Sequence, residues 1–122
     1  MTSQSDELFR FIGSSFRSVW ALELLLLLKR EDGPRSRDDL ISALRASELV
    51  VNKALEDLLA AGLISIEGEE AVYRPASTDM RKAIDRVERL YAARPDAVRR
   101  AIVSSTSSGA TAFADAFRLR KD

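Results

Sequence analysis

Three pairs of adjacent carboxylates, Asp38-Asp39, Glu56-Asp57 and Glu69-Glu70, are the residues whose types and spacing most invite a chemical reading. Paired carboxylates can hold a hard cation, or work as an acid and a base across a bond. A calcium loop, however, interleaves its oxygen donors around a glycine, and none of these pairs has that spacing. The chain has no histidine and no cysteine. The commonest general base, the commonest metal ligands and the thiol nucleophile are therefore absent. No Walker loop and no dinucleotide-binding glycine fingerprint occurs. The expectation is a protein that is not an enzyme, takes no metal or cofactor, and acts by binding a macromolecule, with its carboxylate pairs on solvated faces.

The elements that position these residues belong to a short chain. At 122 residues, with 46% apolar and 31% charged side chains, it suits one globular domain with a real core. The first seven residues are polar and slightly acidic, with no basic start leading into an apolar stretch, so no secretory signal is expected. The apolar run Val19 to Leu28, with five leucines from Leu24, includes Glu23 and is only ten residues long. A membrane span needs about 20 apolar residues, so this run reads as a buried core helix in a cytoplasmic protein. Charge is unevenly spread. Residues 1–80 hold nine basic and fourteen acidic side chains, and residues 81–122 hold ten and five. Such asymmetry shapes which surface attracts which partner.

Leu8, Phe9, Ile12 and Phe16 predict a first helix from near Asp6, broken or kinked at Gly13-Ser14-Ser15. A second helix runs from Ser15 or Ser18 to Arg30 and ends at Glu31-Asp32-Gly33-Pro34. Ser36 opens a third, with Asp39 in the position of a capping box and Leu40, Ile41 and Leu44 inward. After the turn Arg45-Ala46-Ser47, Ser47 caps a fourth helix whose inward stripe is Val51, Ala54, Leu55, Leu58 and Leu59. Gly62 stands where a left-handed residue closes that helix. Leu63-Ile66 and Ala71-Arg74, flanking Glu67-Gly68-Glu69-Glu70, predict a β-hairpin ended by Pro75. A helix from Ser77 or Thr78 to Ala93 and a shorter one from Pro95 follow. The division is a domain over 1–103, a flexible linker over 104–112, and a short amphipathic segment over 113–122.

Helix, helix, short turn, helix and hairpin is the order of a winged helix-turn-helix. Ser47 to Ile64 resembles the second motif helix of bacterial regulators of the MarR type and related winged-helix families. The shared features are a serine start, a β-branched pair at Val50-Val51, a polar-basic pair at Asn52-Lys53, then alanine-leucine and a glycine-leucine exit. The resemblance covers residues 18–75. It implies a mainly α fold with a small β-hairpin and additional N- and C-terminal helices. It also implies a DNA-binding transcriptional regulator that is a homodimer through its terminal helices, its partner being double-stranded DNA.

Carried over position by position, the resemblance assigns DNA contact to Arg35, Arg37, Ser47, Asn52, Lys53 and Arg74. Asn52 and Lys53 would face the groove, Ser47 would meet a phosphate or cap its helix, and the arginines would hold the backbone. Glu48, Leu49 and the three wing carboxylates Glu67, Glu69 and Glu70 depart from the family pattern, because this surface should meet phosphate. They motivate the alternative of an adaptor that binds protein rather than DNA, through Leu49 and Val50. Phe113 and Phe117, one helical turn apart beside Arg118, Arg120 and Lys121, suit either docking into a groove of a partner subunit or another protein, or folding back onto their own domain as a last core helix. Trp20 reads as a core or dimer-interface ring, and Tyr73 as a ring that closes the hairpin against the core.

Overall fold

The computed structural model describes residues 2–105. Helix α1 (Thr2–Ser15) is followed at a bend of 99° by α2 (Val19–Glu31). The bend is fixed by Ser18, which is extended and accepts a hydrogen bond from the Ala21 N–H at 3.1 Å. The break expected at Gly13-Ser14-Ser15 falls at the end of that stretch: α1 runs through Gly13 and stops at Ser15. Gly13 is there for proximity instead. A Cβ on it would lie 3.1 Å from that of Ser105, whose hydroxyl donates to the Gly13 carbonyl at 2.8 Å. The glycine lets the last described helix, α6 (95–105), close on α1. Ser104 and Ser105 thus belong to a helix, two residues into the stretch read as linker.

Helix α2 is the centre of the core. Leu22, Leu24, Leu25, Leu26 and Leu28 are fully buried, as expected of a helix apolar on nearly every side. No single helix among the described residues is long and apolar enough to cross a membrane. α2 ends where Asp32 turns left-handed, φ +49, its N–H bonding to the Leu28 carbonyl. A strand absent from the sequence reading, β1 (Arg35–Ser36), then leads into α3 (Arg37–Leu44), with Ser36 as cap. Arg45, at φ +54, makes the tight turn to α4 (Glu48–Ala60).

Strands β2 (Ile64–Glu67) and β3 (Glu70–Tyr73) form the predicted hairpin, with Gly68 at φ +64 first in its two-residue loop. The sheet order is β1-β3-β2, all antiparallel, with Arg35 opposite Ala71. Helix α5 (Thr78–Ala93), capped by Ser77, lays Ile84, Val87 and Tyr91 on the core, and α6 adds Val98 and Ile102. Polar ties fasten α5 to α2. Lys29 Nζ meets Glu88 at 2.6 Å and Asp85 at 3.2 Å, and the Tyr91 hydroxyl donates to Glu23.

Candidate functional site

The turn between α3 and α4 is built by one serine and one left-handed arginine. Ser47 Oγ accepts from the Val50 N–H at 3.1 Å, satisfying a backbone donor that the helix start leaves open. At the far end Gly62, φ +76, lets the Leu63 N–H reach back to the Leu58 carbonyl at 3.1 Å. Between these caps Val51, Ala54, Leu55 and Leu58 seal α4 against the core. Leu59, placed by the sequence on that stripe, is instead 49% exposed, one position past the buried face. The opposite face presents Glu48, Leu49, Lys53 and Glu56 to solvent, and Leu49 is 78% exposed.

Between the start of α4 and the hairpin lies a cleft of about 280 Å³, bounded by Arg35, Arg37, Asp38, Glu48, Ile66 and Glu69. It brings part of the predicted set together. Arg35 and Arg37 reach it from β1 and the start of α3, and Ser47, Asn52 and Lys53 stand on or beside α4. Arg74 follows the return strand.

Three of the predicted cations are already occupied. Arg35 Nη2 is 2.5 Å from Glu31, Lys53 Nζ is 3.1 Å from Asp57, and Arg74 Nη1 is 2.5 Å from Glu67. Arg37 is exposed. Asn52 departs from the expectation that it faces a groove freely. It is half-buried, and its Oδ1 is enclosed without a hydrogen-bond partner. The reason is angular: Asn52 directly follows the buried Val51, so its side chain leaves along the edge of the apolar stripe. Val50 is likewise half-buried, leaving Leu49 as the apolar residue that stands clear. Glu67 and Glu70 sit directly opposite each other in the hairpin, a like-charge pair that Arg74 offsets on one side. Phe113 and Phe117 lie outside the described residues.

Tyr73 closes the hairpin inward. The ring is half-buried with the Arg81 guanidinium 5.4 Å from its centroid, and burial pushes its phenol pKa up. Trp20 is not a core ring, being 42% exposed. With Val19, Ala43, Leu44, Glu23 and Arg99 it lines a second cavity of about 420 Å³, which the sequence reading missed. Glu23, a carboxylate inside a run of leucines, was the available signal. It accepts from Tyr91, whose pKa is raised by burial first and by Glu23 second, while Arg99 lies 5.4 Å over the Tyr91 ring. Among the described residues no group of three or more carboxylates is placed to hold a metal ion.

No protein-family model matches the chain, and no curated protein matches it. Solved structures do. The homodimeric winged helix-turn-helix DNA-binding domain (fragment 1–100) of Mb0332 from Mycobacterium bovis, described as a possible ArsR-family transcriptional regulator, superposes with a TM-score of 0.53. The match has 20% identity and covers 77% of this chain and 87% of that one. The fold is a winged helix-turn-helix. A protein of Pseudomonas aeruginosa PA01 also matches, at 20% identity over 93% of this chain and 86% of that one, but its TM-score of 0.48 adds no argument. In winged-helix terms α3 and α4 are the motif helices, β2 and β3 the wing, and β1 the short strand that anchors the wing to α3. The sequence reading anticipated this fold. The MarR-type resemblance carries no further than that, since the neighbour that shows the fold is described under a different family.

Proposed function

We propose that the chain is a DNA-binding transcriptional regulator that acts in the cytoplasm as a homodimer and catalyses no reaction. The observation that carries this reading is the outward face of α4. The helix is capped at both ends, packed along one stripe, and presents its first two turns beside the wing. That is the geometry with which a second motif helix enters a major groove. The Mb0332 domain, with the same fold, is described as homodimeric and DNA-binding, which supports the assignment.

The paired cations do not forbid it. An exposed ion pair is worth about 0–1 kcal/mol, so Arg74 exchanges Glu67 for phosphate at small cost, while Lys53 leaves behind an Asp57 only 12% exposed and Arg35 is half-buried, so these two give up more. Arg37 needs no such exchange. The wing carboxylates do oppose the backbone, and affinity is accordingly modest. Ser47 acts through its cap, orienting α4 rather than binding phosphate. A homodimer reading two half-sites one turn of duplex apart needs its two α4 helices about 34–36 Å apart.

Amide NMR shifts during titration with a duplex test the assignment. Changes centred on 47–53, 35–37 and the wing support it. Changes confined to the Trp20 cavity, or none, overturn it.

A further inference from the structure

The outward face of α4 carries one large apolar side chain among charged ones. Val51, Ala54, Leu55 and Leu58 are buried, and at about 100° per residue Leu49 stands roughly 120–180° round the helix from each of them. Lys53 and Glu56 share that outward stripe, both exposed. Leu49 lies in the first turn of α4 and is 78% exposed, more than any other large apolar side chain among the described residues. Leu59, also exposed, is about 15 Å further along the axis, at the opposite end of the helix.

A second motif helix in the major groove meets base edges with its first turns. Every base presents hydrogen-bonding groups there, and an apolar side chain pressed on them takes away their water without replacing it. The one apolar group in the groove is the C5-methyl of thymine. We propose that Leu49 is a specificity-determining residue that reads thymine by packing on this methyl. The proposal rests on the DNA-binding function above and names what that face of α4 selects.

The neighbouring side chains leave the reading to Leu49. An asparagine reads adenine by setting both its oxygen and its amide on the base edge. Asn52 Oδ1 is enclosed, so Asn52 cannot offer that pair of bonds. Val50 is half-buried. Lys53, one turn on and 69% exposed, is a donor for phosphate or guanine. The size of the patch also favours DNA over a protein partner. A protein interface has a contiguous apolar core, whereas Leu49 is the only large apolar side chain on a stripe it shares with Lys53 and Glu56. One leucine matches one methyl. The residue that departs from a phosphate-binding pattern thus has a partner in the groove that involves no charge.

Deoxyuridine lacks only the thymine methyl and keeps every polar group and the pairing, so it isolates the contact. Duplexes are first selected from a randomised library by the full chain, and each thymine of a selected duplex is then replaced in turn by deoxyuridine. At one thymine per half-site the replacement is expected to weaken binding about fourfold, the worth of one buried methyl. The factor should be the same at low and moderate salt, because the methyl carries no charge. Leu49→Ala should bind the thymine and deoxyuridine duplexes equally. The position is exposed and alanine is the best helix former, so this variant keeps its fold, which a melting curve checks. Duplex binding with no enriched sequence, tolerance of deoxyuridine at every position, or the same loss in Leu49→Ala overturns the proposal and leaves the regulator reading standing. No binding to any duplex at the lowest salt overturns both.

Discussion

Lys53 Nζ lies 3.1 Å from Asp57 Oδ1, one turn further along α4, so the cation on the exposed face is held by its own helix. Lys53 is 69% exposed and Asp57 only 12%, so the lysine is the partner free to leave. Replacing Asp57 with Asn removes the competitor without removing the lysine. DNA affinity at low salt is expected to rise a few-fold, and the slope of log K against log salt to steepen by up to about one. Fluorescence anisotropy at several ionic strengths checks this, with a melting curve to confirm the fold.

The wing is the strongest electrostatic obstacle. Glu69→Lys with Glu70→Lys converts two repelling groups at its tip into phosphate ligands. Roughly tenfold tighter binding at moderate salt is expected, shrinking as salt rises. An unchanged affinity would mean that the wing does not meet the backbone.

Ser47 is a cap before it is a contact. Its hydroxyl is engaged by the Val50 N–H, and Ser47→Ala should cost about 1 kcal/mol of stability. Ser47→Asp keeps the cap and should restore most of the melting temperature. A Ser47→Ala variant as stable as wild type would contradict the cap.

Gly13 marks the closest approach of α1 and α6. Alanine in a helix interior usually gains up to about 1 kcal/mol over glycine. Here the Ser105 side chain stands 3.1 Å from the added carbon, and much of that gain is lost. The bulkier Gly13→Val should cost about 2 kcal/mol by overpacking, visible as a lower melting temperature.

Glu88 ties α5 to α2 and sets a pH dependence. Its hydrogen bond from Lys29 first, and that from Arg30 second, hold its carboxyl below the ordinary 4.5. A carboxyl with a lower pKa folded than unfolded adds stability above the unfolded value and loses it as pH falls through the folded one. Lys29, raised above 10.5 chiefly by Glu88, works in the opposite direction and loses its contribution as pH climbs through the folded value. Glu88→Gln should therefore lower stability at neutral pH by about 1 kcal/mol and flatten the acid limb below 4.5. Thermal melts across pH measure both effects.

Much of the fold was legible because its punctuation is local. Ser36, Ser47 and Gly62 act within one turn of themselves, so their residue types suffice. The leucine run was legible because a helix apolar all round can only be buried. β1 was not, since two residues become a strand only by pairing with Ala71 and Glu70 far along the chain. Nor was Gly13, whose partner Ser105 is 92 positions away. At the candidate site, residue types were readable but their availability was not. The bonds from Arg35 to Glu31 and from Arg74 to Glu67, and the enclosure of Asn52 Oδ1, depend on side-chain directions that spacing alone leaves open.

The most direct test is binding of a labelled duplex, measured across ionic strength for the full chain and for Lys53→Ala. The account predicts binding at low salt that falls steeply as salt rises, and that weakens with a slope shallower by about one when Lys53 is removed. Failure of the full chain to bind duplex at the lowest salt would contradict it, and would turn the face of α4 over to a protein partner.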